Sequence, residues 1–93
     1  MHTIEKFMAR QFVINCETQE EAKILMDILM NHGYLWCSSD SLENTEWHQY
    51  ESQMCYLSQR NWRRLEYGRK AFFESLDYKV VKFSEIIRSE YSE

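Results

Sequence analysis

Apolar and polar positions change period several times along the 93-residue chain, and each change marks an element. The clearest stretch follows Thr18. Ala22, Leu25, Met26 and Leu29 recur at three- to four-residue spacing, the signature of one buried helix face, and Ile24 and Ile28 widen the stripe. Thr18-Gln19-Glu20-Glu21 reads as a capping box, with the threonine hydroxyl accepting from the first turn and Glu21 reaching back. Glu20 and Glu21 also suit the positive end of the helix dipole. Gly33 suits the left-handed position after the last turn, with Tyr34 packing back on Leu29. The spacing predicts a helix over 19–32. His32 falls in its last turn, where a cation suits the dipole.

Elsewhere the period is nearer two. Residues 7–16 mix aromatic and β-branched types, and Phe12, Ile14 and Cys16 alternate with Val13 and Asn15, which predicts a strand. Residues 34–37 form a second apolar run directly after the helix stop. Strand, helix and strand in order suggest a βαβ-like unit over 7–37 with parallel strands, and the very short connection leaves an antiparallel arrangement open. Periodicity is lost over 38–51, a long loop for so small a chain, and long loops are often functional. Residues 53–58 read as a strand, 59–61 as a turn and 62–67 as its hairpin partner, ended by Gly68. A short helix over 69–76, a strand over 79–83 and a short C-terminal helix capped by Ser84, with Ile86 and Ile87 inward, complete the chain. The expectation is a single α+β domain over 1–93. One mostly antiparallel sheet of four to five strands carries the 19–32 helix on a face.

Composition narrows the classes. Apolar residues make up 44% and charged residues 28%, and three Trp, six Tyr and five Phe are enough to build a core, so whole-chain disorder is excluded. With two glycines and no proline the chain is neither collagen-like nor a linker, and it lacks the means to build a glycine-rich phosphate cradle. No run reaches the roughly 18 apolar residues of a membrane span. The opening MHTIEKFMARQF has no continuous apolar core, so no secretory leader is expected. The cysteines Cys16, Cys37 and Cys55 are odd in number, far apart and set in apolar stretches. They are expected to be reduced, buried thiols of a cytoplasmic protein.

The net charge of −4 hides a segregation. Residues 60–70 hold five of the eleven Lys and Arg against one acid, whereas 40–51 hold four acids and no Lys or Arg. The acidic loop places Asp40, Glu43, Glu46 and Glu51 around Trp47 and Tyr50, an arrangement that suits a partner-binding surface, since aromatics anchor interfaces and charge orients them. The basic segment interleaves Arg60, Arg63, Arg64, Arg69 and Lys70 with Trp62 and Tyr67, the chemistry of a phosphate- or nucleotide-binding site. Strand alternation splits those arginines between two faces. An acidic chain also disfavours general nucleic-acid binding.

Catalytic signals are sparse. None of the nucleophile-elbow, phosphate-loop, dinucleotide or zinc-protease motifs occurs. His48, close to Glu46 and Glu51, is the one histidine placed for general acid–base work, as in a small hydrolase. Cys and His spacing matches no metal motif, although folding could bring Cys37, Cys55 and His48 together. The reading from residues alone is a non-enzyme with no cofactor and no metal, with an edge-to-edge homodimer open to so small a core.

The pieces Thr18–Ala22, Gly33–Trp36, Trp47–Tyr50, Cys55–Leu57 and Tyr78–Ile87 resemble small α+β accessory proteins encoded in phage and prophage genomes. The resemblance covers most of the chain and assigns no catalytic residue. It implies a protein of the bacterial host cytoplasm that acts by binding and inhibits a host or defence component, in the manner of an anti-defence or anti-CRISPR protein. A nucleotide-sequestering protein built on the 60–70 segment is the alternative.

Overall fold

The computed structural model describes residues 3–59 and 63–86. Its elements run α1 (Ile4–Met8), β1 (Val13–Asn15), α2 (Gln19–Asn31), β2 (Leu35–Trp36), two 3-10 turns (Trp47–Gln49 and Glu51–Gln53), β3 (Met54–Ser58), β4 (Arg64–Arg69), α3 (Lys70–Ser75) and β5 (Val80–Lys82). The class is α+β. Five strands form one open mixed sheet in the order β2-β4-β3-β1-β5. The centre is antiparallel, with β3 between β1 and β4, and each edge strand is parallel to its neighbour. No helix of the described residues is long and apolar enough to cross a membrane.

The helix signal is realised closely. Thr18 Oγ1 accepts the Glu21 N–H at 3.2 Å as expected, while the Glu21 carboxylate reaches back one residue further than a capping box requires and accepts the Glu17 N–H at 2.8 Å. At the other end Gly33 takes φ 83°, and Tyr34 N–H donates to the Leu29 carbonyl at 3.0 Å while Gly33 N–H donates to Met30. That is the Schellman pattern. Ala22, Leu25, Met26 and Leu29 are all buried, but Ile24 is 48% exposed and lies outside the stripe that was expected to include it.

Three expectations are corrected. Residues 7–16 are not one strand. Thr3 caps α1 through Oγ1 and the Lys6 N–H (3.2 Å), so Ile4 and Phe7, one turn apart, both enter the core. Arg10 then takes φ 65° and ends the turn, and only Val13–Asn15 pair as a strand. The βαβ reading holds for direction but not adjacency: β1 and β2 run the same way, yet β3 and β4 are inserted between them. Gly68 does not break β4. It pairs with Cys55, and a Cβ there would come within 3.1 Å of Phe73 Cε2, so its missing side chain lets α3 lie close on the sheet.

Strand alternation divides the interior into two layers. Ile14, Met54, Tyr56 and Leu65 face α2 and join α1, Trp36, Leu42, Phe83 and Ile86 in the main core. Val13, Cys55 and Leu57 face the other way and meet Phe73 of α3 in a smaller cluster flanked by Tyr78 and Val80. Residues 83–86 are helical, starting one residue before the expected cap Ser84, and Ile87 lies outside the described residues. Glu85 reaches back to the Lys82 N–H at 3.1 Å and fastens that turn to β5.

Candidate functional site

The acidic loop is built by short-range polar turns rather than by glycine. Asn44 Oδ1 accepts the Glu46 N–H (3.0 Å), Ser41 Oγ accepts the Glu43 N–H (3.2 Å) and Thr45 Oγ1 accepts the Trp47 N–H (3.2 Å). Ser39, Glu46 and Glu51 take left-handed φ values of 75°, 58° and 51°. In place of glycine, packing from beneath holds this strained backbone. Leu42 is fully buried. Two aromatic donors then fasten the loop's main chain, Trp36 Nε1 to the Asn44 carbonyl (3.0 Å) and Tyr56 Oη to the Thr45 carbonyl (2.7 Å), and the loop's own Trp47 Nε1 donates to the Cys16 carbonyl after β1 (3.0 Å). Trp47 and Tyr50, expected as outward anchors, are half-buried and pack against the main core.

The loop's acids do not all converge. Asp40, held by Ser38 Oγ at 2.8 Å, and Glu46, held by Asn44 Nδ2 at 2.7 Å, line an open cleft of about 340 Å³ together with Glu66 of β4. Trp36 and Tyr67, with ring centroids 5.5 Å apart, supply its aromatic wall, and Cys37 and Ser38 its rim. Glu43 lies instead over a hollow beside Lys23 and Asp27 of α2, and Glu51 is exposed at the second 3-10 turn. Burial first, and then the Glu46 carboxylate, push the Tyr67 phenol above its ordinary value, so its hydroxyl keeps its proton at neutral pH.

The basic segment is divided. Arg60 and Trp62 lie outside the described residues. Arg63 Nη1 donates to the His32 carbonyl at 2.6 Å, and its stem lies 3.7 Å from where a Gly33 Cβ would be. Arg63 therefore supplies the cation at the end of α2 that the sequence assigned to His32, whose own place is the cap residue. Arg64 reaches Ser39 Oγ at 3.5 Å. Arg69 sits over the Tyr50 ring, 5.3 Å from its centroid, and lines a second hollow of about 530 Å³ with Tyr67, Phe72 and Ala71. Lys70 opens α3. Alternation along β4 puts Arg64 and Arg69 on opposite faces, so no single phosphate pocket gathers the described arginines.

Cys16 and Cys55 are buried free thiols, whereas Cys37 is exposed, against expectation. Its thiol lies 3.2 Å from the Leu65 carbonyl. Partial burial and then the Glu66 carboxylate push the Cys37 thiol up, the reverse of what activates a nucleophile. His48 is exposed on the first 3-10 turn. Among the described residues no three His, Cys, Asp or Glu side chains are grouped to hold a metal ion.

Three features of this site escape a sequence reading. Glu66 and Tyr67 border the cleft because β2 is two residues long and leaves that part of β4 uncovered. Trp36 is legible as a strand residue and as an aromatic of the anchoring type, but nothing local ties it to the acidic loop. Phe72, 55% exposed beside the second hollow, carries no local signal that separates it from the buried Phe73. Comparison with models of protein families, with curated proteins and with solved structures finds no match to this chain.

Proposed function

We propose that this is a non-catalytic binding protein that grips a positively charged surface of a host or defence protein, with the cleft between Asp40, Glu46, Glu66, Trp36 and Tyr67 as the centre of contact. The observation that carries this reading is the cleft's lining among the described residues: three carboxylates and two aromatic rings, against one arginine, Arg64, that reaches Ser39 at the rim. Carboxylates beside aromatic faces suit ammonium and guanidinium groups, which pair with the former and stack on the latter. The loop beneath is already ordered by Trp36, Tyr56 and Trp47, so little entropy is lost when a partner docks.

The phage-type anti-defence role follows from the resemblance of the sequence pieces and is part of the same proposal. The nucleotide alternative draws less support, since Arg63 is engaged at the end of α2 and Arg69 on Tyr50. The hydrolase alternative also draws less support: among the described residues His48 is exposed on the first 3-10 turn, and the one exposed thiol, Cys37, is pushed up rather than activated. The test is affinity capture from phage-infected bacterial cells with the wild-type chain and with Asp40→Lys/Glu66→Lys, whose fold is checked by circular dichroism. The expected result is a basic-surfaced protein retained by the wild type at low salt and lost with the variant. Equal retention by both contradicts the reading.

A further inference from the structure

The two edges of the sheet are finished differently. At the β5 edge the outward Lys82 N–H is occupied by the Glu85 carboxylate (3.1 Å), and lysines at 79 and 82 flank the strand, which is how proteins discourage strand addition. At the β4 edge the outward groups follow from the hydrogen bonds made. Gln59 N–H donates to the Arg64 carbonyl, so residues 64, 66 and 68 face β3. Leu35 N–H and Cys37 N–H donate to the Arg63 and Leu65 carbonyls at 3.1 and 3.2 Å, so residues 63, 65, 67 and 69 face outward. Pairing with β2 stops at Trp36 and Leu65, because the chain then doubles back through a Trp36 N–H to Asp40 carbonyl bond of 2.9 Å. Among the described residues the main-chain N–H and C=O of Tyr67 and the N–H of Arg69 therefore face outward with no strand beyond them.

This open stretch runs between the acidic cleft and the Arg69–Phe72 hollow, and Tyr67 lines both. We propose that the outer edge of β4 at Tyr67–Arg69 accepts an extended, lysine- or arginine-bearing segment of a partner protein as an added strand. The proposal rests on the binding reading above and gives its mode. Main-chain bonds to Tyr67 and Arg69 supply affinity, and alternate side chains reach either face of the sheet, where specificity is set. Carboxylates stand on both sides: Glu66 pairs across to Leu57 on the α3 face, and Glu46 lies beside the Tyr67 phenol on the α2 face. A second copy of the chain fits less well, because a symmetric β4–β4 pairing sets each group of carboxylates near its own duplicate.

The experiment uses the full chain, labelled for amide hydrogen exchange by NMR, with an alternating Lys/Val peptide of about eight residues as probe. The expected result is binding with exchange of the Tyr67 and Arg69 amides slowed about tenfold or more, the inward Glu66 and Gly68 amides unchanged, and affinity about tenfold weaker in Glu66→Lys. Should the peptide bind with Tyr67 and Arg69 exchange unaltered, strand addition is overturned while the acidic-surface reading stands. Binding of an alternating Glu/Val peptide in preference overturns the charge assignment. Protection of Tyr67 without peptide, together with a dimer in sedimentation, assigns the edge to a second copy and overturns the proposal. No binding of the Lys/Val peptide overturns both this proposal and the reading beneath it.

Discussion

In the segment 38–53 the backbone is held from inside and the carboxylates are left at the surface. In the segment 63–70 two of the cations are themselves turned to internal use. Trp36, Tyr56 and Trp47 each donate to a main-chain carbonyl of the acidic loop or of its support, while Arg63 closes the end of α2 and Arg69 lies on Tyr50. Charge density along a chain therefore does not by itself mark a binding surface. What matters is whether the charged groups are already engaged by the fold. The cleft's carboxylates are held by neutral side chains, Asp40 by Ser38, Glu46 by Asn44 and Gln49, and Glu66 by Gln59, which fixes them and leaves their charge in place, whereas Arg63 and Arg69 of the basic segment serve the architecture.

The sharpest way to break that comparison is to cut the loop from its support. Trp47→Ala removes a half-buried indole and its bond to the Cys16 carbonyl, and we expect a loss of about 3 kcal/mol in urea unfolding. A loss under about 0.5 kcal/mol means that the indole does not hold the loop. Tyr56→Phe is gentler. It keeps the ring in place and leaves the Thr45 carbonyl unsatisfied in a buried setting, at a cost of about 1–2 kcal/mol by the same measurement.

Alkaline titration probes the same support without mutation. Burial raises the Tyr56 phenol and the Cys16 thiol, and pushes the Cys55 thiol up to about 12. The folded chain holds these protons after the unfolded chain has released them. Their stabilisation is present below the unfolded pKa values, about 8.5–9 for the thiols and about 10 for the phenol, and falls as pH rises through them, with a limiting slope of about 1.4 kcal/mol per pH unit for each group. Thermal unfolding under reducing conditions from pH 7.5 upward should show a midpoint that declines from about pH 9. A flat profile to about pH 11 contradicts the burial of these groups.

The smallest effect belongs to the basic side. Arg63→Ala removes an exposed cation from the C-terminus of α2, and we expect about 0.5 kcal/mol of destabilisation, reduced by salt. A variant of unchanged stability but altered ligand binding would move Arg63 from architecture to recognition.

Where short-range physics decides, the sequence was legible. The α2 caps, the Gly33 stop and the buried face of Ala22, Leu25, Met26 and Leu29 depend on neighbours within four residues, and each is where periodicity placed it. The strands β3 and β5 also fall inside their expected ranges. The N-terminal stretch misled because Phe7 and Phe12 suit either period, and the Thr3 cap and Phe7–Phe12 packing (centroids 6.3 Å apart) decide for a helix followed by a strand. The sequence shows the loop over 38–51 only as an acidic, aromatic-bearing stretch, because the partners of its ties, Cys16 and Tyr56, lie outside it. Left-handed residues in a chain with two glycines carry no mark either: Ser39, Glu46 and Glu51 are placed by tertiary contacts rather than by residue type. Of the candidate site, the acids Asp40 and Glu46 were legible as charge. Glu66, Tyr67 and the open strand edge depend on where β2 stops, and that is a property of the assembled sheet.

The most direct test of the account is backbone chemical-shift mapping of the intact protein against two probes, oligolysine and a nucleoside triphosphate. The account predicts shifts with oligolysine at Asp40, Glu46, Glu66 and Tyr67 that vanish with added salt, and none with the nucleotide. Saturable shifts at Arg63, Arg64, Arg69 and Lys70 with the nucleotide, and an unmoved acidic cleft with oligolysine, would contradict it.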